Sequence, residues 1–178
     1  MAQGSLIIVA GEPRGVEVRG LISGTPKPGT ALLLKPATAR SNGLFTYQAS
    51  GWDYNGQKGP LILLDGDWEQ GKLATDAYAT GTPFKGYVPL VGERVNFLVK
   101  ASSGAVTIGQ RYMIDSATGK FIWLPTQAAD YTTGGGDTEA ELIAAINLNR
   151  RVAVIKALEA FADPGSDTLC YGEVVANC

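Results

Sequence analysis

The sequence predicts a mainly β fold: a single β-barrel or sandwich-like domain of short antiparallel strands, with one or two short helices and an extended N-terminal arm. Three observations lead there. Apolar residues alternate over short runs that are separated by turn residues at hairpin spacing. The 23 glycines and 9 prolines supply many turns without making the chain low-complexity. Charged residues make up only 18% of 178 residues, so part of the surface is expected to be covered by something. No internal repeat is visible.

Residues 1–13 read as an arm: a polar start, the apolar run Leu6-Ile7-Ile8-Val9, then Gly11-Glu-Pro13 as a hinge. Residues 14–178 form the β-rich domain. Val16 and Val18, with Glu17 and Arg19 between them, begin a strand that runs to Ile22. Thr25-Pro-Lys-Pro-Gly29 is a turn in which Gly29 accepts a positive φ, and Ala31 to Lys35 is the next strand. Arg40-Ser-Asn-Gly43 turns the chain into a strand from Leu44 to Gln48. A long Gly-rich loop with aromatic residues spans 49–60, a length that is usually functional or mobile. Leu61 to Leu64 is a buried strand.

Glu69 to Thr80 is expected to be a short helix with Leu73, Ala77 and Tyr78 on one face and Gly81 as its stop. Strands follow at Phe84–Val88, Arg94–Lys100, Tyr112–Asp115 and Lys120–Leu124, the last two joined by the hairpin turn Ser116-Ala-Thr-Gly119. Thr138 and Glu141 form a capping box before Leu142, Ile143 and Ile146, which places a helical insertion near 137–149. Residues 151–161 read either as its continuation or as a strand, and Leu169 to Val175 closes the sheet.

Composition removes much chemistry. With no histidine there is no Ser-His-Asp or Cys-His pair, no HExxH site and no His-ligated metal. Two cysteines cannot build a Cys₄ site within one chain. Cys170 and Cys178 are expected to be free thiols, since a bridge between them would close a short loop at a chain end. A net charge of -2 argues against a nucleic-acid partner. The start Met1-Ala-Gln-Gly-Ser lacks the basic region of a secretory signal, and no apolar run nears the ~18 residues of a membrane span. The expectation is a protein made in the cytoplasm, with no membrane partner.

The motif-like segments fail their tests. Asp65-Gly-Asp67-Trp-Glu69 spaces carboxylates as a calcium loop does, but Gln70 and Asp76 stand where glycine and glutamate belong. Gly81-Thr-Pro-Phe-Lys-Gly86 has P-loop glycine spacing, but Tyr87 and Val88 replace Lys and Ser/Thr. The carboxylates open to a glycosidase (Asp53, Asp65, Asp67, Glu69) sit in turns, where acidic residues are common anyway. No catalytic, cofactor or metal residues are expected. What remains is aromatic: Trp52 and Tyr54 on the Gly-rich loop and Trp68 after the acidic turn. These either anchor a partner or fold back as local core plugs.

Asp65-Gly-Asp-Trp-Glu-Gln-Gly-Lys-Leu-Ala-Thr-Asp-Ala-Tyr-Ala-Thr-Gly81, continuing through Val88-Pro-Leu-Val-Gly-Glu-Arg-Val-Asn-Phe-Leu98, resembles tailed-bacteriophage capsid decoration (cement, head-stabilisation) proteins. In that family a W-x-Q-G-K segment leads to a D-A-Y helix, a strand, and a P-x-x-G-E-x-V-N turn. Ile108 to Asp115, Thr118-Gly-Lys120 and Val154 to Phe161 are similar to its later course, so the likeness covers about residues 61–161. The chain departs from the family in the insertion 134–151 and in the loop 49–60.

The resemblance implies a structural virion protein on the outer capsid surface, with no enzymatic activity and no cofactor. Its partners would be the major capsid protein and itself, as a homotrimer at three-fold or quasi-three-fold positions. Three weak contacts acting together can exceed one by 10²–10⁴-fold. Leu6, Ile7, Ile8, Val9, Trp52, Tyr54 and Trp68 are the candidate capsid or subunit contacts. The alternative is a carbohydrate-binding or adhesion module of a head fibre or tail accessory protein, with Trp52, Tyr54 and Trp68 as a stacking platform.

Overall fold

The computed structural model describes residues 15–36, 38–52, 60–66, 73, 75–124 and 153–176. Within them run ten strands: β1 (Val16–Ser23), β2 (Ala31–Leu34), β3 (Thr46–Gln48), β4 (Ile62–Leu64), β5 (Pro83–Val88), β6 (Arg94–Val99), β7 (Arg111–Ile114), β8 (Phe121–Trp123), β9 (Ile155–Ala157) and β10 (Thr168–Val174). The fold is mainly β, and its barrel occurs twice. β1-β3-β2-β4-β5 close one barrel and β10-β6-β8-β7-β9 close another. The arm Leu6–Val9 and the expected helix at 137–149 lie outside the described residues.

The two barrels are one topology used twice. In each, the first strand runs parallel to the third and antiparallel to the fifth, and the second strand pairs with the third and the fourth. The registers agree as well. Ile22↔Tyr47 matches Val99↔Phe121, Leu34↔Tyr47 matches Ile114↔Phe121, and Leu32↔Ile62 matches Tyr112↔Ile155. Leu64↔Gly86 matches Ala157↔Gly172, and Val18↔Gly86 matches Val95↔Gly172.

The lead-in to the second strand repeats its hydrogen bonds too. Gly29 N–H donates to Leu64 C=O as Gly109 N–H donates to Ala157 C=O, with φ of 83° and 86° at the two glycines. The duplication is hidden in the sequence because equivalent positions hold different residues that fill the same volume. Gly20, whose added Cβ would lie 2.6 Å from Tyr47 Cδ2, matches Phe97, whose ring packs on Phe121 at 5.2 Å.

Each strand turns alternate side chains inward. The first barrel is filled by Ile22, Leu32, Ile62, Leu64, Tyr78 and Phe84. The second is filled by Val95, Phe97, Val99, Tyr112, Phe121, Ile155 and Cys170, among others. That second cluster continues outward into Ala31, Leu33, Leu61, Leu63 and Trp52 of the first barrel. Ala31–Leu33 of β2 and the whole of β4 are therefore buried on both faces, which is why the runs there are unbroken and apolar, while Leu34 at the end of β2 is exposed.

Among the described residues three backbone bonds join the barrels. Leu98 N–H donates to Gly29 C=O (3.0 Å), Ala31 N–H to Gly119 C=O (2.8 Å) and Gly51 N–H to Ser116 C=O (2.8 Å). Gly29 could carry no side chain there, since a Cβ would lie 2.5 Å from Leu169 Cδ2.

The helix expected over 69–80 is absent at the described positions, 73 and 75–80, where the chain turns instead. Leu73 N–H donates to the Asp76 carboxylate (2.9 Å), and Tyr78 N–H leaves the local chain for Pro26 C=O (2.9 Å). Tyr78 is buried as expected, whereas Leu73 is exposed.

Candidate functional site

Of the residues that carry the resemblance, those within the described part of the chain are joints of the scaffold, while 67–72 and 74 lie outside it. Tyr78 fills the mouth of the first barrel, and its hydroxyl donates to Asp65 C=O at 2.9 Å. Asp65 is itself buried and takes Gly66 N–H on Oδ1 at 2.8 Å, so it is a turn-former rather than an accessible acid. Pro89 to Glu93 link the barrels. Glu93 Oε2 accepts Leu90 N–H at 2.7 Å, Gly92 has φ 89°, and Gly92 N–H reaches Val174 C=O at 2.8 Å. The P-x-x-G-E turn thus carries the chain out of one barrel and closes the end of the next.

Of the candidate contact residues, Leu6, Ile7, Ile8, Val9, Tyr54 and Trp68 lie outside the described residues. Trp52 is 6% exposed and belongs to the core between the barrels, so its ring is a core plug and not part of a surface platform. Its Nε1–H has no hydrogen-bond partner among the described residues. Cys170 is free and buried inside the second barrel. Burial first, and the nearby Glu159 second, push its thiol up to about 12, which leaves it inert at neutral pH. Among the described residues no group of three or more acidic or cysteine side chains could hold a metal.

A cleft of about 290 Å³ opens between the barrels, lined by Ser23, Lys27, Thr30, Thr118, Lys120 and Asp167 among others. Asp167 pairs with Lys120 at 2.7 Å and accepts Ala101 N–H at 3.1 Å. Burial raises its pKa, but those bonds and the charges of Lys120 and Lys27 outweigh burial and hold the carboxyl below its ordinary value. Ionised and tied to a lysine, it is poorly placed to act as a base. Asp115, next to the cleft, is held low in the same way. Burial opposes, while bonds from Thr118 (2.5 Å), Lys100 (3.1 Å) and the Ala117 backbone prevail.

The remaining surface features are apolar side chains at the barrel ends. Val16, Leu90 and Val91 lie around the linker, since Val16 pairs with Val88 just before it. Ile108 and Trp123 stand at the opposite end of the second barrel, where β7 begins and β8 finishes. Leu34 and Phe45 flank one end of the first barrel, with Arg40 stacked 4.0 Å over the Phe45 ring. Sequence reading missed all of these. Each sits where an alternating pattern runs into a turn, and nothing local separates an inward last residue from an uncovered one.

No protein-family model matches the chain, and no curated protein matches it. Among solved structures, the chain is similar to the head fiber gp8.5 N base in bacteriophage phi29. The TM-score is 0.44 and the identity 10%, over 90% of this chain and 93% of that one.

Proposed function

We propose that this protein is a structural component of a phage head: a capsid decoration protein that binds the outer surface of the shell and stabilises it without catalysis. The major capsid protein would be its partner, and a homotrimer its working form. The observation that carries this reading is where the resembling residues sit. Asp65, Tyr78 and the Pro89–Glu93 turn are the joints that pin the first barrel and lead into the second. Among the described residues the likeness to decoration proteins therefore lies in positions that build a scaffold, and scaffold is what a cement protein needs. Burial of Trp52 takes one ring from the three that a sugar-binding platform would use, so nothing here favours the adhesion reading.

The test is sedimentation with purified shells. The protein is expected to travel with mature expanded capsids, to leave procapsids behind, and to raise the temperature at which mature shells release their contents. Failure to co-sediment with any shell, together with retention on a glycan that Tyr54→Ala abolishes, would replace this reading with the adhesion one.

A further inference from the structure

We infer that the end of the second barrel around Ile108 and Trp123 docks onto the first barrel of a second copy around Phe45 and Pro83. The argument rests on the duplication and not on the capsid reading. Within one chain the first barrel presents the turn before β2, and the second barrel covers it. Pro28 is buried there, Gly29 C=O accepts Leu98 N–H, and Ala49 lies against the β7–β8 turn, where a Cβ on Gly119 would come within 2.6 Å of Ala49 C=O.

The matched registers identify the same points on the second barrel. Ile108 stands in the place of Pro28, Gly109 in that of Gly29, and Trp123 in that of Ala49. None of these is covered by the described residues. Ile108 is 71% exposed, the highest among the large apolar residues described, and Trp123 is 42% exposed. Gly109 is exposed too. A surface that the fold buries in its first copy is thus left open in its second, with larger apolar side chains on it.

The complementary face is open as well. The second barrel grips the first through Leu98, Leu169 and Gly119. Their counterparts on the first barrel are Leu21, Pro83 and Phe45. Pro83 is exposed, Phe45 is 38% exposed and Leu21 is half-buried. One chain therefore ends in two unlike, unfilled halves of a contact it already makes internally, and the occupant that fits both is another copy of itself.

The contact between copies is weaker than the one within the chain, for two reasons. Leu21 N–H is already bonded to Phe45 C=O (2.9 Å), so the second copy meets side chains and not an open backbone slot. Arg111 and Lys156 stand where Ala31 and Leu63 stand in the first barrel, which trims the apolar area. A contact between unlike faces is heterologous and propagates head to tail until it closes into a ring.

Sedimentation velocity over a concentration series tests this with the full chain and the variants Ile108→Glu and Phe45→Glu. The parent should associate as concentration rises, and each variant should stay monomeric while melting like the parent. Mixed in equal amounts, the two variants should form one-to-one dimers and nothing larger, because the pair retains one intact contact. Trp123→Glu and Pro83→Glu replace any variant that melts early. A parent that stays monomeric up to its solubility limit, variants that associate as the parent does, or a mixture that stays monomeric would each overturn the proposal. Loss of shell binding with self-association intact would instead count against the decoration reading alone.

Discussion

At Gly172 the second barrel leaves no room for a methyl group. A Cβ there would lie 2.6 Å from the Phe97 ring, 2.7 Å from Ile155 Cγ2 and 2.8 Å from Lys156 C=O, which is backbone and cannot swing away. At its counterpart Gly86 the equivalent contacts relax to 3.1 Å from Ile62 Cγ2 and 3.2 Å from Leu63 C=O, and the nearest ring, here Phe84 on its own strand, is 2.9 Å away. Overpacking of this kind costs about 1–3 kcal/mol. Gly172→Ala should fall at the upper end and Gly86→Ala at the lower, read from urea midpoints at constant slope; the reverse order would contradict the packing described. Trp52 gives a second expectation. Trp52→Ala should cost about 3–5 kcal/mol as a truncated core ring, and Trp52→Phe clearly less, because it also removes a buried donor that has no acceptor among the described residues. Gly29 was legible from Pro-Lys-Pro-Gly, a turn signal that needs no partner. Gly86 and Gly172 were not, because their need arises from rings that arrive from other strands.

The β7–β8 turn joins a hairpin to the neighbouring barrel. Its Asp115 carboxylate gathers Thr118 and Lys100, and the carbonyls of Ser116 and Gly119 reach across to Gly51 and Ala31. Asp115 has a folded pKa below its ordinary value of 3.8, so its contribution to stability is full above that value. It is lost as pH falls from there through the lower folded pKa. Asp115→Asn should therefore be less stable than the parent near neutrality, and the gap should shrink steadily below about pH 4, which parallel denaturant titrations would follow. A gap that widens with acid would mean that the carboxylate is not held low. This hairpin was readable because Ser-Ala-Thr-Gly sits between two alternating runs. The helix expected over 69–80 was misjudged for a tertiary reason: Tyr78 donates its backbone N–H and its hydroxyl to the carbonyls of Pro26 and Asp65, outside any local helical ladder, and local propensity carries no trace of them.

For the molecule as a whole, the core of the second barrel runs on into the outer face of the first. The two barrels should then unfold together, in one calorimetric transition. Leu63→Lys places on the first barrel the residue its counterpart already carries at Lys156, in a position that is fully buried. That variant should split the transition in two, the earlier one lowered by several degrees, since about 1 kcal/mol shifts a domain of this size by roughly 2–8 °C. A single, merely lowered transition would mean that the barrels are coupled elsewhere. Where the strands lie along the chain and most turns could be read from alternation and glycine spacing, but not how the strands pair. The duplication could not, because the barrels share register and hydrogen bonds while the pair Gly20↔Phe84 of the first stands where the second has Phe97↔Cys170. The unbroken runs Ala31–Leu34 and Leu61–Leu64 were the one visible sign that strands have a second buried face, and they give no hint of what covers it.

The shared core also sets a condition on synthesis. The fifth strand of the first barrel ends at Val88, while the second barrel lacks its last strand until Val174 has been made. At about 5–20 residues per second, translation needs roughly 4–17 s to cover that distance. During that interval a nascent chain can close its first barrel around its own interior while Ala31, Leu33, Leu61 and Leu63 wait uncovered. Neighbouring ribosomes on one message would hold several such faces close together. High-level expression therefore tests the second barrel's arrival time more than the finished protein's stability, and slower translation past Val88 should raise the insoluble fraction.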